Sequence, residues 1–317
     1  MAELYDAATQ HGPQDIEELP PSVKVYHYKG MDDFCRVVSL EHNRLYSSSR
    51  AAQCTRARAM GEICEGRHNH LITLPQTDGT QSDHIIFIIQ PSTFIQDFLN
   101  PITGHRFHGR ISFSPKTNIL VLKMALPDHS QATLAFEDTL KMALQQIDLH
   151  HAIFSWGNAR LTGGDGTIKE ADGGWSPRRP PRGAPKRPSV VLEIASSETS
   201  AKLRRDAHYW VDPARGQANM AIGVKVFSTN PQITIEQWEW NSQHFRAIQK
   251  ACLTITKFDG KIRFDPDQPT PQLLIPFHLL FRRAAENNRE RDIVFPTQDL
   301  VEFATVVWEM QSENLHA

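Results

Sequence analysis

Apolar positions recur along this chain with two different periods, and the switches between them lay out an order of elements. Residues 1–22 carry Glu3, Asp6, Asp15, Glu17, Glu18 and the Pro20-Pro21 pair with few large apolar side chains, so a disordered acidic tail is expected there. From Val23 to about Met124 the pattern is mostly strand-like. His84–Gln90 is a continuous apolar run of buried-strand length, and Arg110–Ser114 with Asn118–Lys123 flank a Pro-Lys-Thr turn as a hairpin. Phe136, Leu140, Ala143, Leu144 and Ile147 then form the stripe of a core-facing helix over 129–148. A strand over 152–161 follows, and Gly163-Gly-Asp-Gly166 turns the chain into a second strand ending near Asp172. Val190–Ala195 alternates, with Val190, Leu192 and Ile194 on one face and Val191, Glu193 and Ala195 on the other. Ser196 or Ser197 is expected to cap a helix over 197–211, with Glu198 in its first turn, where a carboxylate suits the dipole. Leu203, Ala207, Trp210 and Val211 would be its buried stripe, and Lys202, Arg205 and Tyr209 its other side. Strands over 220–227, 233–240 and 251–256 and helices over 278–288 and 297–311 complete the reading.

Composition narrows the classes. At 317 residues and 40% hydrophobic content the chain can bury a large core, and a net charge of -2 confines any nucleic-acid contact to a local basic patch. Cys35, Cys54, Cys64 and Cys252 are too few and too uneven for a disulfide scaffold and are expected as thiols. Cys54, Cys64, His68 and His70, at C-x9-C-x3-H-x-H spacing, invite a zinc reading with thiolate and imidazole ligands, but without a C-x2-C knuckle the default is core thiols and surface histidines. The N-terminus has no basic, apolar leader pattern, and no apolar run approaches the ~20 residues that span a bilayer. A soluble protein of the cytosol or nucleus is therefore expected. Walker loops, dinucleotide fingerprints and G-x-S-x-G elbows are absent from the sequence.

The chemistry concentrates between residues 169 and 210. Asp172 and Glu193 end two neighbouring strands, and a carboxylate among Val191, Leu192 and Ile194 needs a cationic partner when buried. Two such carboxylates suit a hard divalent ion. Asp172 before Gly173-Gly174 also reads simply as a turn residue. Between them, Arg178–Arg187 with its prolines and cations is a loop, either a solvated hairpin tip or a phosphate-contacting segment.

The words Glu170-Ala-Asp-Gly-Gly-Trp-Ser-Pro177, Pro188-Ser-Val-Val-Leu-Glu-Ile-Ala-Ser-Ser-Glu198 and Leu203-Arg-Arg-Asp-Ala-His-Tyr-Trp210, in the order helix, three strands, helix, strand, resemble the PD-(D/E)xK nuclease superfamily. Within it the Uma-type branch and related uncharacterised fungal proteins look closest, over roughly residues 110–230. The resemblance implies an α/β (α+β) fold, a restriction-endonuclease-like mixed sheet flanked by helices, with a β-rich N-terminal extension over 23–125, the core over 126–260 and a helical C-terminal extension over 261–317. It also implies Mg²⁺ or Mn²⁺ bound by Asp172, Glu193 and the main chain of Ile194, and hydrolysis of DNA or RNA phosphodiesters.

Two places depart from that pattern. The motif lysine falls on Ala195, so the amine must come from Lys169, Lys202 or Lys225, with Lys202 and Lys225 favoured; all three also read as solvated surface lysines. Where relatives carry a His-Glu pair on the first helix, this chain has His129-Ser130, and Glu137 is a distant substitute that reads better as an exposed flank charge. The rival expectation is therefore a catalytically degenerate nuclease-fold binding or interaction module. Nucleic acid is the expected partner, a homodimer is compatible with the class, and no membrane partner is expected.

Overall fold

Two main sheets, each with its own apolar core, and a two-stranded sheet of β14 (Leu273–Ile275) and β15 (Ile293–Phe295) make up the fold in the computed structural model, which describes residues 22–59, 82–100, 109–124, 126–227, 230–265 and 272–313. Most of the acidic tail and the candidate zinc ligands Cys64, His68 and His70 lie outside the described residues.

The first sheet has the order β1 (Lys24–His27), β2 (His84–Ile88), β4 (Ile119–Lys123), β3 (Arg110–Ser114), β7 (Ile168–Glu170), β6 (Arg160–Thr162). The expected β3–β4 hairpin is present, antiparallel in register Arg110↔Lys123. One departure is α1, Met31–Ala59, a helix inside a region read as strand-like. Phe34, Val37, Val38 and Leu45 lie on its buried side at helical spacing, and Asp32 and Asp33 stand in its first turn. That stripe packs with Phe87, Phe113, Leu120 and Leu122 on one face of the sheet.

The second sheet has the order β13 (Lys261–Phe264), β12 (Arg246–Phe258), β11 (Gln232–Asn241), β10 (Met220–Val226), β9 (Val190–Ala195), β8 (Gly173–Pro177), β5 (Ile153–Ser155). Strands β9 and β10 are parallel, joined over the sheet by helix α4 (Ser200–Val211), while the other pairs are antiparallel. Val190, Leu192 and Ile194 face a core shared with α3 (Pro127–Gln145) and α6 (Thr297–Glu313), through Phe136, Leu140, Leu300 and Phe303. Val191 faces the opposite way, against Ala207 and Trp210 of α4. The result is a mixed sheet flanked by helices, the α/β architecture expected from the element order. Among the described residues no helix is long and apolar enough to cross a membrane.

Several boundaries differ from expectation for local reasons. The single strand expected over 152–161 is two, β5 and β6, in different sheets, separated by a turn at Gly157, whose φ is +54°. The strand expected to end at Asp172 is likewise divided, with β7 in the first sheet and β8 in the second. Helix α4 starts later than expected, because Thr199 and neither Ser196 nor Ser197 accepts the capping hydrogen bond, from the Lys202 N–H. The helix expected over 278–288 is only Phe277–Phe281, ended by Arg282 at φ +59°. Residues 282–292 offer no apolar stripe to bury, so nothing holds a longer helix to the core.

Candidate active site

Directly opposed residues in an antiparallel ladder share a face. His84 of β2 opposes Lys123 of β4, and Lys123 opposes Arg110 of β3, so the first sheet presents a row of three basic side chains. The row stands on the face away from α1, where the sheet has only a small apolar cluster around Ile86 and Val121.

Asp172 meets this row from the link between the sheets, one residue after Ala171 and one before Gly173 of β8. Its Oδ2 accepts from the Ile194 backbone N–H at 2.6 Å and from Lys123 Nζ at 3.0 Å, and lies 3.0 Å from His129 Nε2. Its Oδ1 lies 3.0 Å from Arg110 Nε, and the same guanidinium donates to the carbonyls of Ala171 and Asp172. Burial alone would raise the Asp172 carboxyl, but His129, Lys123 and Arg110 overcome it and hold the group well below the usual carboxylate range. Asp172 is thus a fixed, ionised side chain in the interior.

Lys123 is the centre of the arrangement. Besides Asp172, its ammonium donates to the Ile194 carbonyl at 2.6 Å and to Glu198 Oε1 at 2.7 Å. Burial opposes its charge, yet Asp172, Glu198, Glu193 and Asp83 together push its pKa well above the ordinary lysine value. Glu198 therefore does not sit in a helix first turn as expected. It precedes the Thr199 cap, is 1% exposed, and turns inward because Lys123 offers it a counter-ion there. Its other oxygen lies 3.7 Å from His84 Nε2, and His84 Nδ1 in turn lies 2.6 Å from Asp83 Oδ1.

Glu193 points elsewhere. Continuing the β8–β9 register by one step sets it beside Asp172, but its Oε1 accepts from the Trp210 indole N–H of α4 and lies 3.7 Å from Lys169 Nζ. Burial pushes its carboxyl up, Lys169 only partly opposes this, and Asp172 and Asp206 add to it, leaving the pKa at about 8. Lys169 and Lys202 share Asp206 as counter-ion, each at 2.5 Å.

A cleft of about 220 Å³ opens between the first sheet's polar face and α4, with Lys123 and Glu193 in its lining. Seven Lys or Arg side chains against four Asp or Glu border it, including Arg110, Lys116, Lys202 and Arg215.

The structure thus brings Asp172 and the Ile194 carbonyl to one cationic position and sets Glu193 alongside, engaged with Trp210. Lys202 lines the cleft, held by Asp206. Lys225 stands in register with Ala195, but its ammonium donates to the carbonyls of Ser196 and Glu198, pinning the turn into α4. Glu137 pairs with Lys141 at 3.3 Å on the helix flank, and His129, with no glutamate beside it, reaches Asp172 directly. Sequence reading missed Lys123, Arg110 and His84, whose only local trace is a basic residue at the end of an otherwise apolar strand. It also missed Asp206, for which the i,i+4 spacing from Lys202 was a usable signal.

The donors around Lys123 Nζ are two carboxylates and a carbonyl, a set that fits a hard divalent ion. Glu198 Oε2 is buried without a hydrogen-bond partner and keeps lone pairs available, whereas Asp172 Oδ1 is held by the Arg110 guanidinium at 3.0 Å. Among the described residues no group of three or more His, Cys, Asp and Glu side chains is arranged to hold a metal.

No protein-family model matches the sequence, and no curated protein does. Among solved structures, one similar chain is the "putative nuclease belonging to DUF820" from Anabaena variabilis, at 13% identity and a TM-score of 0.35, covering 61% of this chain and 90% of that one.

Proposed function

We propose that the protein is a nuclease-like phosphodiester hydrolase of the PD-(D/E)xK kind, on the Uma-type branch, acting on nucleic acid in the basic cleft. Asp172, Glu193 and the Ile194 carbonyl would hold Mg²⁺ or Mn²⁺. The observation that carries the reading is the convergence of the Asp172 carboxylate and the Ile194 carbonyl on a single cation position, both bonded to the ammonium of Lys123, which itself lines a cleft rich in Lys and Arg. A divalent ion there supplies Lewis-acid stabilisation of a phosphoryl oxygen and a water of lowered pKa. The chain's own groups do the rest. Asp172 is held ionised by its neighbours, and Arg110 and Lys202 offer charge to phosphate oxygens. The amine that Ala195 lacks has three candidates: Lys225 beside it in register, Lys202 in the cleft, and Lys169 beside Glu193.

A second reading, a binding module that does not cleave, is favoured by one feature: Asp172 is already fully engaged by protein groups. Incubating the protein with labelled single- and double-stranded DNA and RNA in Mg²⁺ or Mn²⁺ decides between them. Cleavage that disappears in Asp172→Asn supports hydrolysis. Retention of labelled strands without cleavage at high protein excess leaves the binding module.

A further inference from the structure

We propose that Lys123 is a built-in counter-ion occupying the divalent-ion position, and that Glu198 is the third oxygen donor of that position. This rests on the reading of that position as a cation site, and it adds a residue from the first sheet that must leave before an ion can enter. Four observations support it. The ammonium lies within 3.0 Å of Asp172 Oδ2, the Ile194 carbonyl and Glu198 Oε1, so three oxygens from the link, β9 and the turn before α4 already surround one positive charge. Lys123 is 9% exposed and Glu198 1%, so neither is an incidental surface partner. Glu198 Oε2 is buried with no hydrogen-bond partner and lies 3.7 Å from His84 Nε2, a need that the ammonium, bonded to Oε1, does not meet but an ion taking six or more oxygens can. Finally, Lys225 fixes the Ser196–Glu198 turn through two carbonyls, so Glu198 is held at the site by a contact independent of Lys123.

The consequence is competition: wild-type protein takes a divalent ion only by displacing its own cation, and neutralising position 123 tightens ion binding and makes folding ion-dependent. The experiment compares wild type, Lys123→Met and Lys123→Met/Glu198→Gln by thermal unfolding and by calorimetric titration with Mn²⁺. Lys123→Met should melt far below wild type in chelator and gain ~5 °C or more in millimolar Mn²⁺, with wild type and the double variant each gaining much less. Should Lys123→Met fail to fold without metal, Lys123→Gln, whose amide still donates to one oxygen, is tested for the same gain. No gain in either variant, or an equal gain in wild type, overturns the proposal. Mn²⁺ binding by the variant together with no cleavage by wild type would keep the counter-ion role and end the hydrolase reading. A wild type that cleaves in Mn²⁺ and gains as much from it as Lys123→Met would do the reverse.

Discussion

Glu193 makes stability depend on pH in a direction opposite to that of most carboxylates, and Glu193→Gln isolates the effect. Its carboxyl moves from 4.5 to about 8 on folding. The folded protein therefore keeps a proton that the unfolded chain releases between those values. The group's contribution is fully present below the unfolded pKa and is lost as pH rises through the folded one. At about 1.4 kcal/mol per unit of pKa the loss is bounded at roughly 5 kcal/mol between pH 4.5 and 8. Glutamine copies the protonated acid in shape, still accepts from the Trp210 indole, and has no proton to lose. Urea unfolding of both proteins at each pH from 5 to 9, followed by the fluorescence of buried Trp175 and Trp210, gives the two curves. Near pH 5 they should agree within about 1 kcal/mol, and above pH 8 Glu193→Gln should be the more stable by a few kcal/mol. Asp172 works the other way: its lowered carboxyl contributes stability above the ordinary carboxylate range that is lost on acidification, in both proteins alike. Parallel curves for wild type and Glu193→Gln across pH 5–9 would refute the buried, protonated acid.

Three further outcomes follow from the same geometry. Asp206→Asn leaves the buried ammoniums of Lys169 and Lys202 without their shared counter-ion, and should cost about 3–5 kcal/mol in chemical denaturation. Gly216→Ala drives a methyl into the Trp210 backbone where the chain turns after α4, and should lower stability by about 1–3 kcal/mol, measured as a fall in Tm. Reversing the cleft's outer charges with Lys116→Glu and Arg215→Glu should weaken nucleic-acid binding and flatten its salt dependence by about one unit of slope for each phosphate that is no longer neutralised, read by fluorescence anisotropy at several salt concentrations.

Much of the fold was written in local pattern. The α3 stripe of Phe136, Leu140, Ala143 and Leu144, the β3–β4 hairpin and the two-faced alternation of β9 all depend on neighbours within a few residues, and all appear where periodicity puts them. What periodicity could not supply was the sheet to which each strand belongs. A short strand such as β7 or β8 has the same local signature in either sheet, and only long-range pairing sends Ile168–Glu170 to β3 and Gly173–Pro177 to β9. That division puts Asp172 at the link between the sheets, within reach of a row of basic residues distant in sequence. Lys123, 49 residues from Asp172 and 75 from Glu198, carries no local mark of its role. The chain by itself determined that a carboxylate pair would be buried and would need positive charge. Only the tertiary structure decided which charge answers it, because a counter-ion is chosen by distance in space, and that distance is set by how the two sheets meet.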